Sequence, residues 1–327
     1  METKGDGILR RREFLGMAAG AALTAAIPRN GLAETAAPAT AVYKTVGACQ
    51  IKAEIHGAAP DARKPAVMWM HGGALITGDR HGVDRRFAAE LLKRGFAIVS
   101  IDYRLAPETK LPGIIQDIQD AWRWVRGEGS KQFGIDPNRI ATAGGSAGGY
   151  LTLMTGFCLD PLPRCLVSYY GYGELTTPWY SDPSEFYRKQ PLVSKEEAMG
   201  VLSGTEVSEP PPGKNRGRFY LYCRQNGVWP KEVGGHDPKT ETKWFDPYCP
   251  ARNVTAKYPK TRLIHGTADT DVPYEESQHM AEKLKQAGVE HDFVTLKDVG
   301  HGLHHATPEQ LAEIAVKSVD FVQAHTA

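Results

Sequence analysis

Short apolar runs alternate along the chain with longer stretches in which apolar residues recur every three or four positions. "KPAVMWMHGG" (Lys64–Gly73) reads as a buried strand ending in glycines. "VDRRFAAELLKRG" (Val83–Gly95) carries Phe87, Leu91 and Leu92 at helical spacing and stops at Gly95. "FAIVSIDYR" (Phe96–Arg104) predicts a strand, and "LPGIIQDIQDAWRWVRGEG" (Leu111–Gly129) a helix with Ile114, Ile115, Ile118, Trp122 and Val125 on one face. The strand "RIATAG", a helix opening at Ser146 and the strand "CLVSYYGYG" (Cys165–Gly173) follow. Near the C-terminus "TRLIHG", "YEESQHMAEKLKQAG", "HDFVTLK" and "PEQLAEIAVKSVDFVQ" repeat strand and helix twice more. Such alternation predicts an α/β protein: a mostly parallel sheet covered by helices on both faces.

The pattern fails once, over about 174–250. Pro178, Pro183, Pro191, the run Pro210-Pro211-Pro212 and Pro230 keep any regular element there short. The same stretch holds eleven aromatic residues, among them Trp179, Tyr180, Tyr187, Tyr220 and Trp229. A disordered linker is poor in aromatics, so a packed insertion over one end of the sheet is expected.

The first 40 residues follow another logic. Arg10, Arg11 and Arg12 precede a small, apolar run to Ile27 and then an Ala-rich stretch, as in a cleaved export signal. Arg11-Arg12-Glu13-Phe14-Leu15 resembles the twin-arginine signal of bacteria. A periplasmic or secreted destination is therefore expected, with residues 41–327 forming one domain. The apolar run is too short to hold a bilayer as a permanent span. "VGAC", ending at Cys49, is similar to a lipid-attachment box but lies beyond that run, in a strand-like segment, so no stable membrane anchor is expected.

Composition adds exclusions. Lys and Arg total 39 against 38 Asp and Glu, a net charge of +1 that favours neither nucleic acid nor an anionic membrane as partner. Five cysteines (Cys49, Cys158, Cys165, Cys223, Cys249) are too few for a disulfide scaffold and not spaced for zinc. One bridge is possible after export, with Cys223–Cys249 the best pair.

The chemistry centres on "IATAGGSAGGYLTLM" (Ile140–Met154), where Gly144-Gly145-Ser146-Ala147-Gly148 has the form G-x-S-x-G between a strand and a helix. That is the setting of a nucleophile elbow, a turn too tight for side chains across it, with free N–H groups at the helix start. A serine nucleophile needs a base, and the base an orienting acid, in the order Ser, Asp or Glu, His for this architecture. "RLIHGTADTDVPYEES" offers Asp269, with Asp271 as an alternative. "TLKDVGHGLHH" offers His301, with His304 and His305 as rivals; the three together are also similar to a metal cluster, but no H-E-x-x-H motif accompanies them. An oxyanion needs backbone donors: "MHGGALITGD" places His71, Gly72, Gly73 and Ala74 just past a strand, and Ala147 follows the serine.

Taken together, "HGGALITGD", "SIDYRLAPE", "FGIDPNRIATAGGSAGG", "HGTADTDVP" and "GHG" resemble the α/β-hydrolase family, in its esterase and lipase branch with an H-G-G loop. The resemblance runs from about Lys64 to the C-terminus. It implies a three-layer α/β-hydrolase fold, an acyl-enzyme mechanism without cofactor or metal, and a cap formed by the insertion. It selects Asp269, three residues before Val272-Pro273, as the acid, and His301, in its Gly-His-Gly turn, as the base. It also makes "DYRLAPE" a structural turn and leaves Arg104 and Glu108 outside the site. The expected catalytic residues are thus Ser146, Asp269 and His301, with Gly73, Ala74 and Ala147 as oxyanion donors. Ala74 departs from the family's frequent His-Gly-Gly-Gly and narrows the pocket. The implied substrates are carboxylic esters of short acyl groups, with acetylated-sugar and phenolic esters included. The nearest alternative is a peptidase of prolyl-oligopeptidase type, with the same triad behind a propeller. A non-catalytic binding protein on this scaffold commonly lacks the serine or the histidine; both are present here.

Overall fold

The computed structural model describes residues 37–327. The export signal expected within residues 1–40 therefore lies almost wholly outside the described residues. Ala39 and Thr40, assigned to that leader, already belong to the sheet.

In chain order the elements begin with β1 (Ala39–Val46), β2 (Cys49–His56) and β3 (Lys64–Met70). Next come α1 (Arg85–Lys93), β4 (Ala97–Ile101), α2 (Leu111–Arg126) and α3 (Glu128–Phe133). β5 (Ile135–Gly145), α4 (Ala147–Cys158) and β6 (Cys165–Tyr169) complete the first half. Short helices α5 (Pro178–Ser181), α6 (Glu185–Arg188), α7 (Lys195–Gly200), α8 (Gly217–Asn226) and α9 (Trp229–Gly234) occupy the insertion. The alternation then resumes with β7 (Lys260–Gly266), α10 (Tyr274–Gln286), β8 (His291–Leu296) and α11 (Pro308–Thr326).

The eight strands lie in the order β1-β2-β4-β3-β5-β6-β7-β8. The pairs β1–β2 and β2–β4 are antiparallel, and every other pair is parallel. The β1–β2 hairpin is an addition to the expected architecture, which began at Lys64 with only a strand-like segment around Cys49. In β2, which lies between the edge strand β1 and β4, Ile51, Ala53 and Ile55 are buried and alternate with polar Gln50, Lys52 and Glu54, the two-residue period of a strand.

Alternate residues of each strand feed two cores. Met68 and Met70 of β3 and Val99 and Ile101 of β4 pack with Ile114, Ile118 and Trp122 of α2 and Leu151 and Met154 of α4. On the opposite face Val67 and Trp69, Ile98, Ala141 and Ala143 meet Phe87 and Leu91 of α1 and Val319 and Val322 of α11. Helix layers on both faces make the three-layer fold. A single central sheet with both faces covered explains why its strands read as continuous apolar runs.

The insertion is pinned down by buried ion pairs. Arg216, fully buried, pairs with Glu108 at 2.6 Å and donates to the carbonyls of Ile76 and Ala106. Burial pushes the Glu108 carboxyl up, but the hydrogen bonds from Arg216 and Ser203 win and hold its pKa at about 2. Arg104 makes two 2.8 Å bonds to buried Asp117 and reaches Glu206 of the insertion at 2.6 Å. Arg104 and Glu108 thus tie the insertion to the loop and helix that follow β4.

All five cysteines are free, so the one bridge that the sequence left possible, Cys223–Cys249, is not formed. Both are buried, but in different settings: Cys223 has Glu232 and Lys110 as its charged neighbours, and Cys249 has Glu174 and Arg252.

Candidate active site

Register brings the candidate residues to one end of the sheet. Met70 pairs with Gly144, Gly145 with Tyr169, Tyr169 with Ile264, and Gly266 with Leu296. The parallel strands therefore end nearly level, and the loops after β3, β5, β6, β7 and β8 converge where ligands bind in open α/β sheets.

Ser146 stands between β5 and α4 at φ 57°, ψ −121°, a strained conformation for a residue with a Cβ. Its N–H donates to the carbonyl of Tyr169 at 2.9 Å and its carbonyl accepts the N–H of Tyr150, the first bond of α4. The turn closes only because residue 148 is glycine: a Cβ there would lie 2.0 Å from the carbonyl oxygen of Met70.

A hydrogen-bonded chain runs from this serine. Ser146 Oγ is 3.0 Å from His301 Nε2, and His301 Nδ1 is 2.7 Å from Asp269 Oδ2. Fully buried His265, four residues before Asp269, brings Nε2 to 3.1 Å from the same carboxylate oxygen and 3.0 Å from the carbonyl of Val272. Two acceptors around that nitrogen make it the protonated one, so His265 donates to Asp269. The other oxygen, Oδ1, accepts the backbone N–H groups of Asp271 and Val272 at 2.8 and 2.9 Å. Burial works to raise the Asp269 pKa, yet the bonds from His265 and His301 outweigh it and leave the carboxyl well below the usual carboxylate range.

His301 is held differently. Burial lowers its pKa, while the carboxylates of Asp271 and then Asp269 raise it, and the net value lies above that of an ordinary histidine. Asp271 Oδ2 is 3.5 Å from Nε2, the nitrogen that faces Ser146. Tyr170, just past β6, sets its ring edge-on to the imidazole with centroids 5.0 Å apart. His304 and His305, the rival bases, appear in no hydrogen bond to Ser146 or Asp269; they line a separate hollow with Asp84 and Leu311.

The loop after β3 faces the serine. Gly73 adopts φ 104°, and a Cβ there would sit 2.1 Å from the carbonyl oxygen of Thr77. Ala74 follows at φ 56°, a left-handed conformation that costs an alanine about 1–2 kcal/mol. Its carbonyl is fixed by the indole N–H of buried Trp229 at 2.9 Å. Among the described residues, no protein acceptor engages the N–H of Gly73, Ala74 or Ala147. Beneath the loop His71 is buried, stacked on Tyr103 with centroids 4.2 Å apart, and burial drops its pKa to about 4, so it is neutral.

Gly72, Gly73, Ala74, Ser146, Tyr170 and His301 line a cleft of about 360 Å³, closed on the insertion side by Gly217 and Tyr220 of α8. The aromatic insertion therefore reaches the site. Among the described residues no group of three or more His, Cys, Asp or Glu is arranged to hold a metal ion. Three contributors were not among the expected residues: His265, Tyr220 and Arg224. His265 had a signal, a histidine at a strand end four positions before an acid. The α8 pair had none, because its partners lie about fifty residues away in sequence.

Comparison with known proteins agrees with this architecture. The BD-FAE family model matches residues 55–162, which include Ser146 and the Gly73–Ala74 loop. The prolyl oligopeptidase family model matches residues 222–327, which include Asp269 and His301. Non-reducing polyketide synthase Preu6 of Preussia isomera is 26% identical over 297 residues, covering 80% of this chain but 13% of its own length. Esterase LipC of Mycobacterium tuberculosis (strain ATCC 25618 / H37Rv) is 29% identical over 245 residues, 74% of this chain and 54% of that protein. A Staphylococcus aureus subsp. aureus Mu50 protein of unknown function superposes with a TM-score of 0.72 at 22% identity, over 88% of this chain and all of its own. Thermogutta terrifontis esterase 2 superposes at 0.60 with 21% identity, over 89% and 96%. Sheet order, helix layers and these likenesses define one class of protein, the α/β hydrolases. The chain has the α/β-hydrolase fold and is similar to esterases built on it.

Proposed function

We propose that the protein hydrolyses carboxylic esters of short acyl groups through an acyl-enzyme. The observation that carries this reading is the Ser146–His301–Asp269 chain, with links of 3.0 and 2.7 Å, beside three unengaged backbone N–H groups. Ser146 Oγ attacks the ester carbon as His301 Nε2 takes its proton. The carbonyl oxygen, now negative, accepts hydrogen bonds from the N–H groups of Gly73, Ala74 and Ala147. Asp269, ionised and holding the proton of Nδ1 in place, stabilises the imidazolium, which then protonates the departing alcohol. Water, activated by the same histidine, releases the acid. This chain's residues supply every proton transfer.

Chain length follows from the walls. The cleft is near the small end of ligand sites, and the Ala74 methyl and Tyr220 ring bound it. Each buried methylene would add about 0.8 kcal/mol where room exists. Across a series of aryl esters kcat/KM is therefore expected to peak between acetyl and butyryl and to fall at least about tenfold by ten carbons. A neighbour of the same fold, Thermogutta terrifontis esterase 2, has propionate-bound and butyrate-bound structures, which supports this range. A maximum at long chains would assign the protein to the lipases instead. Acetylated-sugar and phenolic esters belong in the same screen, since the aromatic insertion suits a ring on the alcohol. The prolyl oligopeptidase match over 222–327 favours one second reading, a peptidase. Dipeptide amides turned over faster than every ester would establish it.

A further inference from the structure

One carboxylate at the site has no part in the mechanism above. Asp271 sits across the imidazole from Asp269, its Oδ2 3.5 Å from His301 Nε2. Its other oxygen is held from the insertion: Tyr220 donates its hydroxyl, and Arg224 donates from Nη1 at 2.9 Å while also reaching the Asp271 carbonyl at 3.1 Å. Arg224 is almost fully buried, with its Nε unpartnered. Its guanidinium lies against four rings of the insertion, Trp179, Tyr180, Tyr187 and Tyr220, at 4.9–5.8 Å from their centroids. A guanidinium so enclosed has little freedom, and so does the carboxylate it grips.

The geometry points to Asp271 as a second positioning carboxylate for His301, acting from the serine side and balanced by Arg224, so that the seating of the insertion tunes the base. This rests on His301 being the base. An ionised carboxylate at 3.5 Å favours imidazolium over imidazole, and the Arg224 cation works against it. Both influences act in that sense on His301, with Asp271 the largest of the raising ones. The other groups facing the ring are Ser146 at the head of α4, Tyr170 after β6, Tyr220 on α8 and Asp269 after β7, with His265 behind Asp269.

The signs are opposite for the two partners. Asp271→Asn removes a negative charge from the Nε2 side, so His301 should titrate lower, by about one pH unit. Arg224→Met leaves the Asp271 carboxylate uncompensated, so His301 should titrate higher, by roughly half a unit or more. Arg224→Lys keeps the charge and should leave the midpoint near wild type. In the Asp271→Asn, Arg224→Met double variant the midpoint should fall below that of Arg224→Met alone.

The test is a histidine titration of the full protein by imidazole 15N–1H NMR, assigned with a His301→Gln control, alongside kcat/KM against pH for a short aryl ester. Both the midpoint and the acidic limb of the rate profile should move down in Asp271→Asn, because the limb reports the free base. An unmoved midpoint in Asp271→Asn, with kcat/KM reduced evenly at every pH, would reduce Asp271 to a structural residue and overturn the proposal. Should Arg224→Met fail to fold, the Asp271→Asn midpoint alone decides. The NMR readout is independent of turnover: a shifted midpoint in a protein that hydrolyses no ester would sustain this inference and defeat the functional reading.

Discussion

Ser146→Ala is expected to lower kcat for a short aryl ester by on the order of 10⁶-fold, with the thermal unfolding midpoint little changed. The loss is this large because the hydroxyl is the only atom that forms the covalent bond; what survives is the contribution of the oxyanion donors and of binding. The fold should be indifferent. The Ser146 contacts that hold the turn are its backbone N–H to the Tyr169 carbonyl and its carbonyl to the Tyr150 N–H, and alanine keeps both. Adding His301→Gln to Ser146→Ala should cost almost nothing more, since the two act as one unit. Steady-state rates on the single and the double variant beside wild type, with circular dichroism to show that each is folded, check this. Retention of more than a few per cent of activity in Ser146→Ala would point to another nucleophile.

Asp269→Asn is expected to reduce kcat by about 10⁴-fold, whereas Asp271→Asn should cost no more than roughly tenfold at the pH optimum. The reason is a conflict of donors. One Asp269 oxygen accepts from His301 and His265, and the other from the N–H groups of Asp271 and Val272. An asparagine has one acceptor end and one NH2 end. Whichever way it is turned, the NH2 meets two donors, either the two histidines or the two backbone N–H groups. In the first orientation His301 is driven to its other tautomer and can no longer take the serine proton. In the second, two buried N–H groups lose their acceptor, at about 1–3 kcal/mol each. Stability as well as rate should therefore fall in Asp269→Asn. Kinetics and denaturant unfolding on the pair of variants test this, and a reversal of their ranking would move the acid to Asp271.

The parts of the molecule legible from residue order are those whose physics is local. A buried parallel strand is an uninterrupted apolar run, and the helices after it show a 3.6-residue stripe, so β3 to β6, β7, β8 and helices α1, α2, α4, α10 and α11 fall where the pattern places them. Ser146 announces itself because glycine is forced at 148 by the Met70 carbonyl, and Gly73 by that of Thr77. The edge hairpin was less visible. β1 is half solvated, with Val42 exposed, and its alternation is broken by a register shift between Val42 and Lys44. Least legible was the insertion, where the helices are short and the order comes from long-range contacts. Arg224 grips Asp271 across 47 residues, and Trp229 fixes Ala74 across 155. Neither has a local signature. The absent Cys223–Cys249 bridge has the same cause, because spacing in sequence says nothing of which neighbours each thiol meets in a core.

The reading stands on Ser146 as nucleophile, and covalent trapping tests that most directly. Paraoxon, a phosphotriester, transfers its diethylphosphoryl group to an activated serine hydroxyl and releases 4-nitrophenolate. The protein is treated with paraoxon, its ester turnover followed, and the modified residue located by tandem mass spectrometry of a digest. The account predicts one diethylphosphoryl group, on Ser146 Oγ, appearing in step with loss of turnover and absent from Ser146→Ala. Inactivation with the group on any other residue, or full turnover with Ser146 labelled, would contradict it.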